Sequence, residues 1–293
     1  MSVSVIIPTL NAGDALDGLL GALLRQTIVP DEIIIVDSQS TDETVRRAQG
    51  YDRVRVLEIE RGAFDHGGTR DMALRQSVGE FVVFMTQDAM PAHDRAIENL
   101  LEPFKDEQVA AVGGRQIAWP NARPAEKLMR AQSYPAQSRV WRASDMASMG
   151  VRAFLISDVF AAYRKEAYLA VGGFDHPLMT NEDMLIAERL LRAGYALAYS
   201  GDATVYHSHD FSFAQQFRRN LLVGRVLKRY EQRFGGAQEM GEGVKLARAI
   251  YAQLLRDKRF IECIRFSVDC AARLLGNRAG RWIEGRNARG DRA

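Results

Sequence analysis

Ile33-Ile34-Ile35-Val36-Asp37 decides the fold. Four consecutive β-branched residues suit a strand, and an unbroken apolar run suits one covered on both faces. The pattern recurs around it. Val3–Ile7 and Val54–Ile59 read as strands, as does Phe81–Met85, whose five residues are all apolar. Helical periodicity fills the intervals at Asp14–Gln26, at Asp42–Gln49 behind a Ser40 or Thr41 cap, and at Gly68–Ser77. Apolar strands alternating with helices predict an α/β fold with a mostly parallel central sheet flanked by helices. Ligands of such sheets sit beyond the carboxyl ends of the strands. Thr9, Asn11, Asp37, Ser38 and Asp88 all fall at those ends, so the pattern gathers them on one rim.

Farther along, Ala92–Phe104 reads as a helix and Val109–Ala118 as a strand. Residues 119–151 carry Pro, Arg and Ser with weak periodicity and predict a mobile insertion near the site. Val159–Tyr163, Glu182–Ala193 and Ala196–Tyr199 follow as strand, helix and strand, with a short strand at Ala203–Tyr206. From Phe213 the chain is helical and basic. Residues 216–293 carry 18 Lys+Arg against 8 Asp+Glu, leaving 21 against 29 for residues 1–215. The expected division is therefore a catalytic domain at 1–215 and a basic helical region at 216–293. The basic region faces something anionic or pairs with the acidic body.

At 293 residues, 47% hydrophobic and 26% charged, the chain has the composition of an ordinary globular protein. Cys263 and Cys270 share one helical stretch without a CxxC pattern, as reduced, idle thiols do. Met1–Pro8 has no basic lead-in and reads as a first core strand rather than a signal peptide. No stretch approaches the roughly 20 apolar residues of a membrane span. These features place the protein in the cytoplasm, either free or peripheral on the inner face of the plasma membrane.

The chemistry-bearing positions each admit two readings. Asp37 can accept the imide N–H of a pyrimidine base, or serve as a loop acid for the next helix. Gly67-Gly68, ahead of a helix, can offer bare N–H groups to phosphate or simply loosen a loop. Arg70 can meet a diphosphate oxygen or a base, or lie on the surface as a helix cation. Asp88 suits a hard cation bridging a nucleotide diphosphate. His207, at a strand end, is a second ligand or a structural imidazole, and His209 lies two residues on. Glu182-Asp183 supplies a carboxylate able to take a proton from an attacking hydroxyl, or a solvated acidic pair. Gly172-Gly173-Phe174-Asp175 predicts a tight turn with positive φ at its glycines.

Taken in order, Val5-Ile6-Ile7-Pro8-Thr9-Leu10-Asn11, Glu32–Asp37 with Ser40-Thr41-Asp42, Gly172–Asp175, Asn181-Glu182-Asp183 and Val205-Tyr206-His207 resemble the family 2 inverting glycosyltransferases of GT-A fold. The resemblance spans roughly residues 3–211. Phe64–Arg70 and Phe84–Ala89 look most like the bacterial rhamnosyltransferases of surface-polysaccharide assembly. The resemblance implies that Pro8, Thr9, Asn11, Asp37, Arg70 and Gln87 hold the nucleotide. Asp88 and His207 would ligate Mg2+ or Mn2+, Asp183 would be the catalytic base, and Glu182 would position the acceptor or support the loop. It further implies dTDP-rhamnose as donor, with a UDP-hexose as the rival, and a saccharide or lipid-linked saccharide as acceptor. One departure stands out: Thr86 occupies the place of the first acid of the usual Asp-x-Asp, which leaves Asp88 alone and gives the nucleotide diphosphate much of the coordination.

Two other function classes compete. A nucleotide-binding protein without catalysis is conceivable from Thr86, and Asp183 and His207 argue against it. Nucleic-acid binding through the basic region is disfavoured, since interleaved aromatics and a known module are missing and the acidic body would repel a polyanion. Phe217, Leu221, Leu227, Tyr230 and Phe234 recur at helical spacing among arginines, and Leu246, Ile250, Leu254 and Leu255 continue an apolar face. That pattern predicts either a packed appendage or homodimer element, or a helix at a membrane surface.

Overall fold

The computed structural model describes residues 1–234 and 239–290; residues 235–238 and 291–293, part of the region expected to be helical, lie outside the described residues. The chain divides into two compact units. The first comprises Met1–Ile117, Tyr134–Ser148 and Arg152–His207; the second comprises Ala118–Ser133, Met149–Val151 and the chain from Ser208 onward.

In chain order the elements begin with β1 (Val3–Thr9), α1 (Ala15–Leu24), β2 (Glu32–Asp37), α2 (Thr44–Ala48), β3 (Val54–Glu58), α3 (His66–Gln76) and β4 (Phe81–Met85). There follow β5 (Met90–Pro91), α4 (Ala96–Leu101), β6 (Val109–Ile117), α5 (Pro124–Ser133), β7 (Arg139–Trp141), α6 (Met146–Met149) and β8 (Phe160–Arg164). The last are α7 (Lys165–Ala170), α8 (Glu182–Arg192), β9 (Ala196–Tyr206), α9 (Phe213–Arg229), α10 (Glu239–Arg256) and α11 (Phe260–Gly290).

The first unit is built on one nine-stranded sheet of order β3-β2-β1-β4-β8-β6-β9-β5, with β7 added alongside β9. β3, β2, β1 and β4 are parallel, as the apolar runs predict. Their inward residues pack with Leu16, Leu19, Leu20 and Leu23, the one apolar face of α1 at i, i+3, i+4 and i+7 spacing. Beyond β4 the sheet becomes mixed. β8 runs antiparallel to both β4 and β6, whereas β6 and β9 are parallel.

The direction of β8 governs the rim. Because β8 is reversed between β4 and β6, its first residue, Phe160, lies beside Met85 at the end of β4. β6 regains the direction of β4, and its last residue, Ile117, is in register with Tyr206 of β9. The ends of β1, β2, β4, β6 and β9 and the start of β8 therefore share one edge.

Three expectations change in detail. The two short runs at Ala196–Tyr199 and Ala203–Tyr206 are one strand, β9, and a register shift opposite Gly114 and Arg115 absorbs the turn residues between them. The expected mobile insertion at 119–151 contains α5 and β7. Trp141 is buried there, and its indole N–H donates to Ala153 O at 2.8 Å. The three-residue β7 is too short to show a period, and the ten-residue α5 buries only Ala125, so it carries little apolar pattern. The helix expected from Gly68 starts at His66, since the Asp65 carboxylate caps it by accepting from Gly68 N at 2.8 Å.

In the second unit, α5 and α10 pack with α11 around Ala125, Ile250, Leu254 and Phe266. α9 and α11 approach at backbone distance: a Cβ on Gly224 would fall 2.2 Å from Asn277 O, and one on Gly280 2.0 Å from Leu221 O. Leu227 and Phe234 are buried, and Arg225 and Arg229 reach Glu284 at 3.1 and 2.6 Å. Leu227 of α9 thus serves packing, whereas Phe213 and Leu222 of the same helix are exposed. Leu255 is 53% exposed, unlike its expected face-mates Ile250 and Leu254.

Candidate active site

β1 and β2 end side by side, with Thr9 opposite Asp37. The Asp37 carboxylate is fully buried and accepts from Thr9 Oγ1 at 3.1 Å, Ser40 N at 2.7 Å and Ser40 Oγ at 2.5 Å. A carboxylate has about four lone-pair sites, so one remains for a further donor. Pro8 precedes this contact within β1, opposite Val36. Asn11, at φ 50°, turns the chain: its N–H donates to Ser40 Oγ at 2.8 Å, and its Oδ1 accepts from Thr41 N at 2.8 Å. Gln87 closes the same loop from the β4 side, accepting from Leu10 N at 2.8 Å and donating to Leu10 O at 3.2 Å. These reciprocal bonds hold the loops after β1, β2 and β4 as one rim.

Asp88 follows on that rim and is 46% exposed. His207 enters from the end of β9, almost wholly buried, with its Nε2 3.5 Å from Asp88 Oδ2. Sequence reading missed the residue that orients this imidazole. Gln116, near the end of β6 and 1% exposed, sets its Oε1 2.9 Å from His207 Nδ1 and donates through Nε2 to Ser157 Oγ at 3.0 Å. With Nδ1 as the donor to Gln116 Oε1, Nε2 is the ring nitrogen that faces Asp88, the tautomer a metal ligand needs. A carboxylate oxygen and an imidazole nitrogen this close could hold a divalent cation. Thr86 Oγ1, where a first acid would stand, is buried without a hydrogen-bond partner.

Of the two readings of Gly67-Gly68, the structure favours a loop role over a phosphate cradle. Gly67 N donates to Leu178 O at 3.2 Å, Gly68 N to Asp65 at 2.8 Å, and Thr69 N to Asp65 O at 3.1 Å. Gly67 N thus ties this loop to the segment before α8 while the next two N–H groups are taken by the Asp65 cap, and the close approach explains the glycine: a Cβ on Gly67 would lie 2.3 Å from Asp175 O. Arg70 is placed accordingly. Expected at the nucleotide, it is instead 3% exposed, with Nη1 3.0 Å from Glu182 Oε1 and 2.8 Å from His66 Nδ1. A buried guanidinium needs an anion, and Glu182 is the one within reach.

Glu182 and Asp183 open α8 after Asn181, whose φ of 63° turns the chain into the helix. Gly172 and Gly173 have φ of 89° and 76°, the expected turn. Tyr168 anchors it, accepting from Phe174 N at 2.9 Å and donating to Asp71 at 3.0 Å. A helix N-terminus stabilises carboxylates, and Asp183 accepts from Met184 N at 2.8 Å. Burial nevertheless wins. It raises the Asp183 pKa well above the usual carboxylate range, with the charges of Glu182 and Asp158 adding to the rise. Burial raises Glu182 as well, against the pull of Arg70.

Asp158 is the second residue missed. It is 3% exposed, accepts from Tyr163 OH at 2.8 Å, and leaves Oδ2 without a partner. Burial, opposed by Arg70 and reinforced by Glu182, pushes its pKa up to about 7. An acid just before a strand lies at the wrong end for a parallel sheet, and only the reversal of β8 brings it to the rim.

Comparison with known proteins follows the same lines. The profile of the family described as Glycosyl transferase family 2 matches residues 4–172. The O-antigen chain rhamnosyltransferase RfbN of Salmonella typhimurium is 36% identical over 264 residues, covering 89% of this chain and 83% of its own. WbaN of Salmonella anatum, also an O-antigen chain rhamnosyltransferase, is 37% identical over 264 residues, with coverage of 88% and 83%. Among solved structures, the mannosyltransferase PcManGT from Pyrobaculum calidifontis, in complex with GDP-Man and Mn2+, superposes with TM-score 0.63 at 20% identity over 94% of this chain and 86% of that one. S. aureus TarS 1-349 in complex with UDP-GlcNAc gives TM-score 0.59 at 18% identity, covering 99% and 92%. At these identities the two structures speak to the GT-A-like fold alone.

Proposed function

Because this chain belongs to glycosyl transferase family 2, and is an inverting-type glycosyltransferase by that membership, we propose that it transfers L-rhamnose from dTDP-rhamnose to a saccharide acceptor. The observation that carries the donor is the identity of 36% and 37% to two O-antigen chain rhamnosyltransferases over most of either chain. A lipid-linked saccharide acceptor would bring the enzyme to a membrane surface.

Asp183 is the base. It takes the proton of the acceptor hydroxyl as that oxygen bonds to the anomeric carbon, on the face opposite the diphosphate. The anomeric C–O bond breaks, its electron pair leaves with the diphosphate, and the configuration inverts without a covalent enzyme intermediate. The raised proton affinity of Asp183 suits a group that must compete for a hydroxyl proton. Glu182 acts from beneath, paired with Arg70, fixing the first turn of α8. Thr9, Asn11 and Asp37 shape the nucleotide pocket, Pro8 and Gln87 hold its loops, and the remaining lone pair of Asp37 accepts a thymine imide N–H. Asp88 and His207 would hold Mg2+ or Mn2+, which when bound would offset charge gathering on the departing diphosphate.

A donor screen tests this. Released nucleotide should be greatest with dTDP-rhamnose, which should also raise Tm in the presence of Mn2+. A larger response to a UDP-hexose would replace the donor assignment. No turnover with any nucleotide sugar and a competent acceptor would favour a binding protein without catalysis.

A further inference from the structure

α11 is two-faced in an unusual way. Its acids point inward: Glu262 and Asp269 meet Arg123 at 3.0 and 3.1 Å, and Glu284 meets Arg225 and Arg229. Its solvent face bears Ile261 (73% exposed), Ile264 (68%), Val268 (46%), Leu275 (52%) and Trp282 (60%). Ile261, Val268, Leu275 and Trp282 recur every seven residues, so they form one stripe along the helix. Arg265, Arg278 and Arg286 are exposed alongside it, and Arg286 lies over the Trp282 ring at 4.9 Å. Arg256, Lys258 and Arg259 lie exposed just ahead of the helix, with Asp257 the one acid among them. Among the described side chains from Phe260 to Ala288, the exposed face carries no carboxylate.

That charge distribution selects the occupant. A heptad stripe can seat a second copy of itself, but pairing two such faces would set arginine against arginine with no acid on either side. An anionic lipid surface answers both features at once, with headgroups meeting the cations and the acyl boundary receiving the apolar stripe. No helix among the described residues is long and apolar enough to cross a membrane, so the helix would lie in the plane of the surface.

We propose that the solvent face of α11, rather than the arginine-rich α9, is a docking surface for anionic lipid. The inference deepens the proposal of a lipid-linked acceptor and rests on that reading for its purpose. Flotation without donor or acceptor tests the surface alone, and turnover on a water-soluble acceptor fragment tests the enzyme alone.

Full-length protein should float with vesicles of phosphatidylglycerol and phosphatidylcholine at low salt, and far less at high salt or with phosphatidylcholine alone. Ile261→Ser/Ile264→Ser/Trp282→Ser should lower binding about tenfold or more, because three exposed anchors are lost without touching the packed face. Arg265→Gln/Arg278→Gln should abolish the preference for anionic vesicles, while both variants keep wild-type Tm. Three results would overturn the proposal: no flotation of wild type at low salt, flotation of the Ser variant equal to wild type, or sedimentation of wild type as a dimer that the Ser variant dissociates.

Discussion

Glu182 and Asp183 are neighbours on the first turn of α8, yet different forces hold them. Glu182 is the buried anion of Arg70, and Asp183 bonds only the N–H next to it. Asp183→Asn should therefore lower kcat about 100-fold or more while donor affinity stays near wild type; a variant nearly as active as wild type would remove Asp183 from the chemistry. Glu182→Ala should act through the fold instead. Breaking a buried ion pair typically destabilises by about 3–5 kcal/mol, so Tm should fall sharply, and Glu182→Gln should fall less because an acceptor remains. At the other end of the rim, titration calorimetry of Mn2+ should give weak binding to the protein alone and much tighter binding with dTDP present. Gln116→Leu should weaken the dTDP-supported Mn2+ affinity by roughly 10- to 100-fold, as loss of the partner that orients a ligating imidazole does. Unchanged affinity would mean that Gln116 only packs β6.

At the scale of elements, the α9–α11 seam sets two effects against each other. Gly280→Ala gains about 1 kcal/mol of helix propensity. It also sets a Cβ 2.0 Å from Leu221 O and 2.9 Å from Arg225 N, atoms of a backbone that cannot rotate away. Overpacking of this kind costs typically 1–3 kcal/mol or more, so Tm should fall, whereas Gly241→Ala, with open space around it, should leave Tm unchanged or raised. Such a seam is invisible in sequence, where Gly224, Gly276 and Gly280 only look like weak helix formers. The parallel half of the sheet was legible because strands buried on both faces write themselves as apolar runs. The ends of β1, β2 and β4 consequently delivered Thr9, Asn11, Asp37 and Asp88 to one rim. Direction is not written that way. Phe160–Arg164 has the same composition in either orientation, and so nothing in the sequence singles out Asp158. Gln116 lay in a strand where one buried amide carries no periodic signal. Arg70 and the two glycines before it hid in another way: sequence does not reveal that Glu182 pairs with the guanidinium, or that Leu178 and Asp65 have taken the glycine N–H groups.

Over the whole molecule, pH separates two populations of acids. Glu284 is held below its ordinary pKa by Arg229 and Arg225 against the cost of burial, so it adds stability above the usual carboxylate range and loses it only in acid. The cluster of Asp158, Glu182 and Asp183 works in the opposite direction. Asp158 has a folded pKa of about 7 against an ordinary 3.8, so the folded state binds its proton more tightly than the unfolded chain does. Stability is then greatest below pH 3.8 on this account and declines as pH rises through about 7. One pKa unit corresponds to about 1.4 kcal/mol, enough to shift Tm by a few degrees even when Arg70 and the neighbouring acids share the effect. Asp158→Asn keeps an oxygen for Tyr163 and removes the charge. It should raise Tm relative to wild type most at pH 8, distinctly less at pH 5, and hardly at all near pH 3.8. Glu182, Asp183 and Asp269, also shifted upward by burial, remain in the variant, so the pH slope should shrink rather than vanish. The same substitution removes one of the charges that raise Asp183, so the ascending limb of kcat against pH should move to lower pH. Stability and proton affinity are thus two readings of one cluster. Parallel Tm profiles together with an unmoved kcat limb would show that Asp158 titrates apart from the base and serves Tyr163 alone.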